Sequence, residues 1–176
     1  MSRHKWLRAI LVACVILLAL CSGAASALEV GVRVGTDVGA RQSYDSQELY
    51  LRTALPYRLG EPGGWQVSTH LEGNVGRLST RGESLSYGGA AVAFWLARPA
   101  APVSFGVGTG PTYLSRSRLG TRDFGGPWQF TSHAVARLDL TQALSVAYRI
   151  QHTSNAGLYS SNDGINIQAL EVRLRF

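Results

Sequence analysis

The stretch on which the fold turns is Ile165-Asn166-Ile167-Gln168-Ala169-Leu170-Glu171-Val172-Arg173-Leu174-Arg175-Phe176. Leu170, Val172, Leu174 and Phe176 recur at every second position, Asn166 and Gln168 hold the same phase, and Glu171 takes the opposite one. A period of two puts alternate side chains on opposite faces of a strand. Working back along the chain, the same alternation returns in short segments separated by Gly, Pro, Asn and Asp. Leu28, Val30, Val32 and Val34 alternate with Glu29, Gly31, Arg33 and Gly35. Leu49, Leu51, Thr53 and Leu55 mark a second segment; Trp65, Val67, Thr69 and Leu71, opposed by Gln66, Ser68, His70 and Glu72, mark a third. A fourth, Leu85 to Leu96, is apolar throughout and leaves its facing open. Val103, Phe105 and Val107 head the fifth, with Trp128 to Leu138 and Leu144 to Ser154 before the last. No stretch after Ala27 carries a helical period.

Strands with one apolar and one polar face have two common homes. A soluble sandwich or lipocalin-like barrel turns the apolar face inward, whereas an outer-membrane barrel turns it to lipid and fills its narrow interior with polar groups. Three features favour the membrane. Gln66, His70 and Glu72 are bulky or charged groups on a polar face; the in-phase run to Phe176 resembles the terminal strand of bacterial outer-membrane proteins; and Tyr50, Tyr57, Trp65, Trp95, Trp128 and Tyr148 fall near strand ends or turns, where interface girdles lie. The expected fold is all-β: an eight-stranded antiparallel transmembrane β-barrel of outer-membrane type, one domain over residues 28–176, after a cleaved signal peptide.

The signal peptide is expected over residues 1–27. Arg3, Lys5 and Arg8 make a basic start, Ala9 to Leu20 an apolar run, and Ala25-Ser26-Ala27 an A-x-A exit. The alternative is a retained anchor, for which the run is short; a lipoprotein site at Cys21 would follow a bulky Leu20. Removal takes both cysteines, Cys14 and Cys21, so neither a disulfide nor a cysteine metal site is expected afterwards. It also takes three of the 17 cationic residues and none of the 11 acidic ones, leaving a net charge of about +3. No basic stripe with interleaved aromatics points to nucleic acid. No H-E-x-x-H motif or phosphate loop is present, and no cofactor is implied. His70 and His133 fall on inner faces and read as hydrogen-bonded interior residues rather than metal ligands.

With both termini in the periplasm, Pro56–Gly64, Ala97–Pro102 and Asp139–Ala143 become inner turns. Asp37–Ser46, Gly76–Ser84, Ser115–Pro127 and Asn155–Gly164 become outer loops. Those loops hold Arg41, Arg77, Arg81, Arg116, Arg118 and Arg122, and the turns hold Arg58 and Arg98. The chemistry concentrates in His152-Thr153-Ser154-Asn155-Ala156-Gly157, continuing to Asn162-Asp163-Gly164-Ile165-Asn166. On a strand, His152 and Ser154 share a face, with Cα atoms about 6.6 Å apart, close enough for leaning side chains to form the pair an activated serine needs. They continue the apolar set Leu144, Val146, Tyr148 and Ile150, so they point to lipid at the outer end of the strand. Asn166 of the next strand joins them. Without a catalytic role, the three would form a polar cluster in the headgroup zone.

The segment from His152 to Gly164 resembles the signature of the outer-membrane lipid A 3-O-deacylases, the PagL family. That resemblance implies an esterase removing the acyl chain at position 3 of lipid A on the barrel's outer surface. It implies Ser154 as nucleophile and His152 as general base. It also makes the Gly157 N–H and the Asn162 side chain oxyanion candidates, with Asn155 shaping the loop or touching the oxyanion. The family's acidic triad member falls on Asn166, whose carbonyl can fix the His152 tautomer but whose amide nitrogen would impose the wrong one. Glu171 has the wrong parity to replace it, and Asp163 sits in the turn. The implied partner is lipid A, or lipopolysaccharide of the outer leaflet, with Arg116, Arg118 and Arg122 as phosphate candidates and a homodimer allowed. A non-catalytic structural barrel disabled at Asn166 is the alternative.

Overall fold

The structure is a computed structural model and describes residues 28–39 and 42–176. The expected signal segment and Arg41 lie outside the described residues. Eight long strands close a barrel: β1 (Glu29–Asp37), β2 (Asp45–Leu59), β3 (Gln66–Thr80), β4 (Glu83–Ala97), β5 (Val103–Leu114), β8 (Trp128–Asp139), β9 (Leu144–Ser154) and β10 (Ile165–Arg175). The outer loop between β5 and β8 folds into a two-stranded hairpin, β6 (Arg118–Leu119) and β7 (Arg122–Asp123). Neighbours in sequence pair antiparallel, and β1 closes on β10 with Val30 opposite Leu174 and Val34 opposite Leu170. Closure satisfies the backbone of every strand, which a lipid environment demands.

Parity decides what each strand buries. Val32, Val34, Leu170, Val172 and Leu174 are exposed on the outer wall, while Glu29, Arg33, Glu171 and Arg173 between them are buried. This inside-out pattern overturns the soluble carrier. The ambiguous fourth segment resolves the same way, with Leu85, Ala93 and Trp95 inward and Val92, Phe94 and Leu96 outward.

Three expectations need correction. Tyr50 and Trp95 are not girdle residues: both are interior, 2% and 3% exposed. Arg33 stacks on Tyr50, and Arg52 and Arg137 stack on Trp95. The indole has this room because Gly106 faces it from β5, where a Cβ would come within 2.7 Å of the ring. Tyr57, Trp65, Trp128 and Tyr148 do lie on the outer surface. The outer loop expected at 76–84 is instead strand, turned by Arg81 and Gly82 alone, both at positive φ as a two-residue hairpin turn requires. The inner turn expected from Pro56 begins later, because β2 runs on to Leu59 through a register shift between Ala54 and Arg58. Pro56 has no N–H to give a ladder, so it is tolerated where the ladder is broken.

The interior is layered. At mid-height Arg33 meets Glu48, Glu72 (2.8 Å) and Glu171 (2.7 Å), and Arg149 reaches Glu72 at 3.2 Å. Nearer the end that carries the chain termini Glu29 meets Arg52, Arg173 and Arg175, and Asp139 meets Arg137 and Arg173. At the outer end the filling turns apolar: Leu78, Leu85, Leu114, Ile165 and Ile167 pack under Tyr44, Leu119 and Phe124 from the loops. The β6–β7 hairpin thus carries the stopper of the barrel. Between stopper and ion pairs lies a cavity of about 40 Å³ bordered by Glu72, His133, Arg149 and Thr153. That is room for a few water molecules and not for an acyl chain. His133 is interior, but neither of its ring nitrogens has a hydrogen-bond partner among the described residues, against the expectation of a hydrogen-bonded histidine; Ser68 Oγ lies 3.0 Å from His70 Nε2.

Candidate active site

The β9–β10 register sets Asn166 opposite His152, and the β8–β9 register sets Ser132 opposite His152 and Phe130 opposite Ser154. His152 and Asn166 are exposed on the outer wall and Ser154 is half-buried at the end of β9. His152 Nδ1 lies 2.8 Å from Asn166 Oδ1. An amide oxygen can only accept, so Nδ1 is the donor in this pair, which in the neutral ring places the Nε2 lone pair on the side away from Asn166. Among the described residues no hydrogen bond joins Ser154 Oγ to His152. Such contacts are often long without substrate and tighten when it binds.

The loop beyond Ser154 is built around Asn155, which is fully buried. Its Nδ2 donates to the Phe124 carbonyl (2.9 Å) and the Ser161 carbonyl (2.6 Å), and its Oδ1 accepts from the Gly157 N–H at 2.9 Å. Its own N–H donates to Asn162 Oδ1 at 3.0 Å, and its carbonyl accepts from Leu158 N–H. Asn155 is therefore the residue that holds the loop in shape. Gly157 N–H, expected as an oxyanion donor, is occupied within the turn. Holding Asn162 by Oδ1 leaves its Nδ2 to donate outward. Sequence reasoning missed Ala156, whose φ of +51° is left-handed and whose N–H has no acceptor among the described residues. Strain of this kind in a residue with a Cβ gathers at functional sites.

Gly164 also stands at the site. Its φ is +52°, and a Cβ there would lie 3.3 Å from His152 Cε1 and 3.5 Å from Ser154 Cβ. Below the histidine a groove runs along the outer wall, lined by Val38, Ser132, Ala134, Ile150, His152 and Asn166. The three phosphate candidates separate. Arg116 is exposed, and Arg118 is exposed but paired with Asp123 at 2.7 Å. That carboxylate is held below its ordinary pKa by the Gly125 N–H and by Arg118. Arg122 turns inward to the loop framework, bonding the Asp163 and Gly164 carbonyls and Asp37. Glu171 is in the interior with Arg33, and Asp163 accepts from Asp123 N–H, so neither reaches His152.

The profile of the Lipid A 3-O-deacylase (PagL) family matches residues 45–175, which include the whole cluster. The chain belongs to that family. This PagL-family barrel is an outer-membrane protein, and its family is one of ester hydrolases that deacylate lipid A. The crystal structure of the outer membrane enzyme PagL superposes with a TM-score of 0.72 at 22% identity, covering 82% of this chain and 97% of that one. The N-terminal β-barrel domain of Pseudomonas aeruginosa OprF superposes with a TM-score of 0.54 at 10% identity, covering 85% and 97%. At these identities the likeness is one of fold. No curated protein matches the chain.

Proposed function

We propose that this chain removes the ester-linked acyl chain at position 3 of lipid A, with Ser154 as nucleophile, His152 as general base and Asn166 orienting the imidazole. The observation that carries this reading is the 2.8 Å contact between His152 Nδ1 and Asn166 Oδ1, on the same outward face as Ser154. As Ser154 Oγ attacks the ester carbonyl, its proton passes to His152 Nε2. The imidazolium returns that proton to the departing sugar oxygen, leaving an acyl-enzyme. A water molecule, deprotonated by the same nitrogen, then releases the fatty acid. The tetrahedral oxyanion would be met by Asn162 Nδ2 and the Ala156 N–H. A donor of this kind contributes about 3 kcal/mol to the transition state. The acyl chain would lie along the groove over Ser132 and Ala134, because the closed interior has no room for it. Arg116 and Arg118 are the arginines left for substrate phosphates. One chain closes its own barrel and carries every residue invoked, so the reading needs no second copy.

Ser154→Ala and His152→Ala should each abolish release of the 3-linked chain while the barrel keeps its heat-modifiable mobility on gels, since both side chains sit on a preformed wall. Near-normal release by Ser154→Ala would mean another nucleophile. The neutral Asn166 favours a second reading, a non-catalytic barrel disabled at that position. Lipid analysis of a strain lacking a native deacylase, with and without this gene, separates the two.

A further inference from the structure

We propose that Arg122 is a positioning residue of the deacylase site, holding through the Gly164 carbonyl the backbone against which His152 and Ser154 pack. This rests on the Ser154–His152 reading above and adds to it a residue from a different loop.

Arg122 lies on β7, outside the barrel wall, yet its guanidinium is four-fifths buried. Nη1 donates to the Gly164 carbonyl and, at 3.2 Å, to the Asp163 carbonyl; Nη2 meets Asp37 Oδ2 at 3.0 Å; and the plane lies over the Tyr44 ring. Asp37 ends β1 with its side chain 3% exposed. One step on, Val38 N–H donates to the Asn166 carbonyl at 2.9 Å. The segment Asp163 to Asn166 is therefore gripped from both sides, by Arg122 on Gly164 and by β1 on Asn166. Asp163 is zipped further to the hairpin by its N–H on the Asp123 carbonyl and its carboxylate on the Asp123 N–H.

Gly164 is where this grip reaches the proposed chemistry. A Cβ built on it would lie 3.3 Å from His152 Cε1 and 3.5 Å from Ser154 Cβ, so its backbone stands about one bond length short of contact with both groups and a shift of it changes the space beside them. Arginine suits the task because its planar fork can serve two carbonyls and a carboxylate at once, which an ammonium cannot do in the same geometry. With both terminal nitrogens on protein acceptors and only the buried Nε unpaired, Arg122 is poorly placed to take a phosphate, unlike exposed Arg116.

Purified wild type, Arg122→Gln and Arg122→Lys, folded in detergent micelles, are assayed on lipid A and on a p-nitrophenyl acyl ester that has no phosphate. Misplacing a reacting group by an ångström can cost about a hundredfold. Arg122→Gln should therefore lose about tenfold to a hundredfold in kcat on both substrates with KM little changed, and Arg122→Lys should recover part of it. A loss confined to lipid A and seen in KM would make Arg122 a phosphate ligand and overturn the proposal. So would unchanged kcat. Amide exchange across residues 163–167 is read in the same preparations and should accelerate in Arg122→Gln. Unchanged exchange would overturn the grip even if no preparation turned over substrate, a result that would otherwise count against the Ser154 reading alone.

Discussion

Asn166 shows what a neutral group could and could not do in the proposed triad. Its Oδ1 faces His152 Nδ1, so the ring is held in the tautomer that leaves Nε2 free to take the Ser154 proton. What it lacks is charge to stabilise the imidazolium that the proposed attack by Ser154 would form. In serine proteases an Asp-to-Asn exchange that imposes the wrong tautomer costs on the order of 10⁴ in kcat. Here the tautomer is already right, so the missing contribution is the electrostatic one alone. Asn166→Glu should raise kcat several-fold with little change in KM, and Asn166→Ala should lower it. Initial rates on lipid A in mixed micelles decide the matter: equal rates in all three proteins would mean that another group orients His152. The position was legible beforehand, since the N-D-G turn and the parity of β10 bring Asn166 opposite His152. The direction of its amide was not, because either orientation fits the sequence.

At the scale of elements, two outer loops form one unit. The 115–127 loop plugs the barrel with Leu119 and Phe124, and the Phe124 carbonyl takes a hydrogen bond from Asn155, the centre of the 155–164 loop. Asn155→Ala removes the donor to the Phe124 and Ser161 carbonyls and the acceptor of the Gly157 N–H, leaving Phe124 O with the Gln129 amide alone, and a group left buried and unpaired costs about 1–3 kcal/mol. It should cut kcat at least as severely as Arg122→Gln while strand amides keep their protection. Exchange confined to 155–164 and 120–127 is the expected signature, and global loosening would contradict it. Strand existence and facing were readable because parity is a local property. Tyr50 already held the polar phase of β2, and only its nearness to a strand end suggested a girdle. The uniformly apolar β4 hid the parity that sends Trp95 inside. The Arg122 grip joins residues far apart in sequence and has no local signature.

For the whole molecule, the ion pairs and the proposed chemistry lie on opposite sides of the wall. The ion pairs of Arg33, Glu48, Glu72, Arg149 and Glu171 fill the middle of the barrel and touch no outward group of the site. Removing one partner from such a network strands a buried charge, at about 3–5 kcal/mol. Glu171→Ala should lower unfolding stability by that order, read from urea titration in lipid vesicles. The protein that remains folded should deacylate at a near-normal rate; loss of turnover without loss of stability would mean that the interior does communicate with the site. The same packed interior has a consequence for the cell. Among the described residues the space between the apolar stopper and the ion pairs is about 40 Å³, and apolar and charged side chains fill the barrel above and below it. A barrel filled in this way is a wall element and not a pore: it offers the membrane an outer surface on which the proposed chemistry can take place, without an evident channel through its middle.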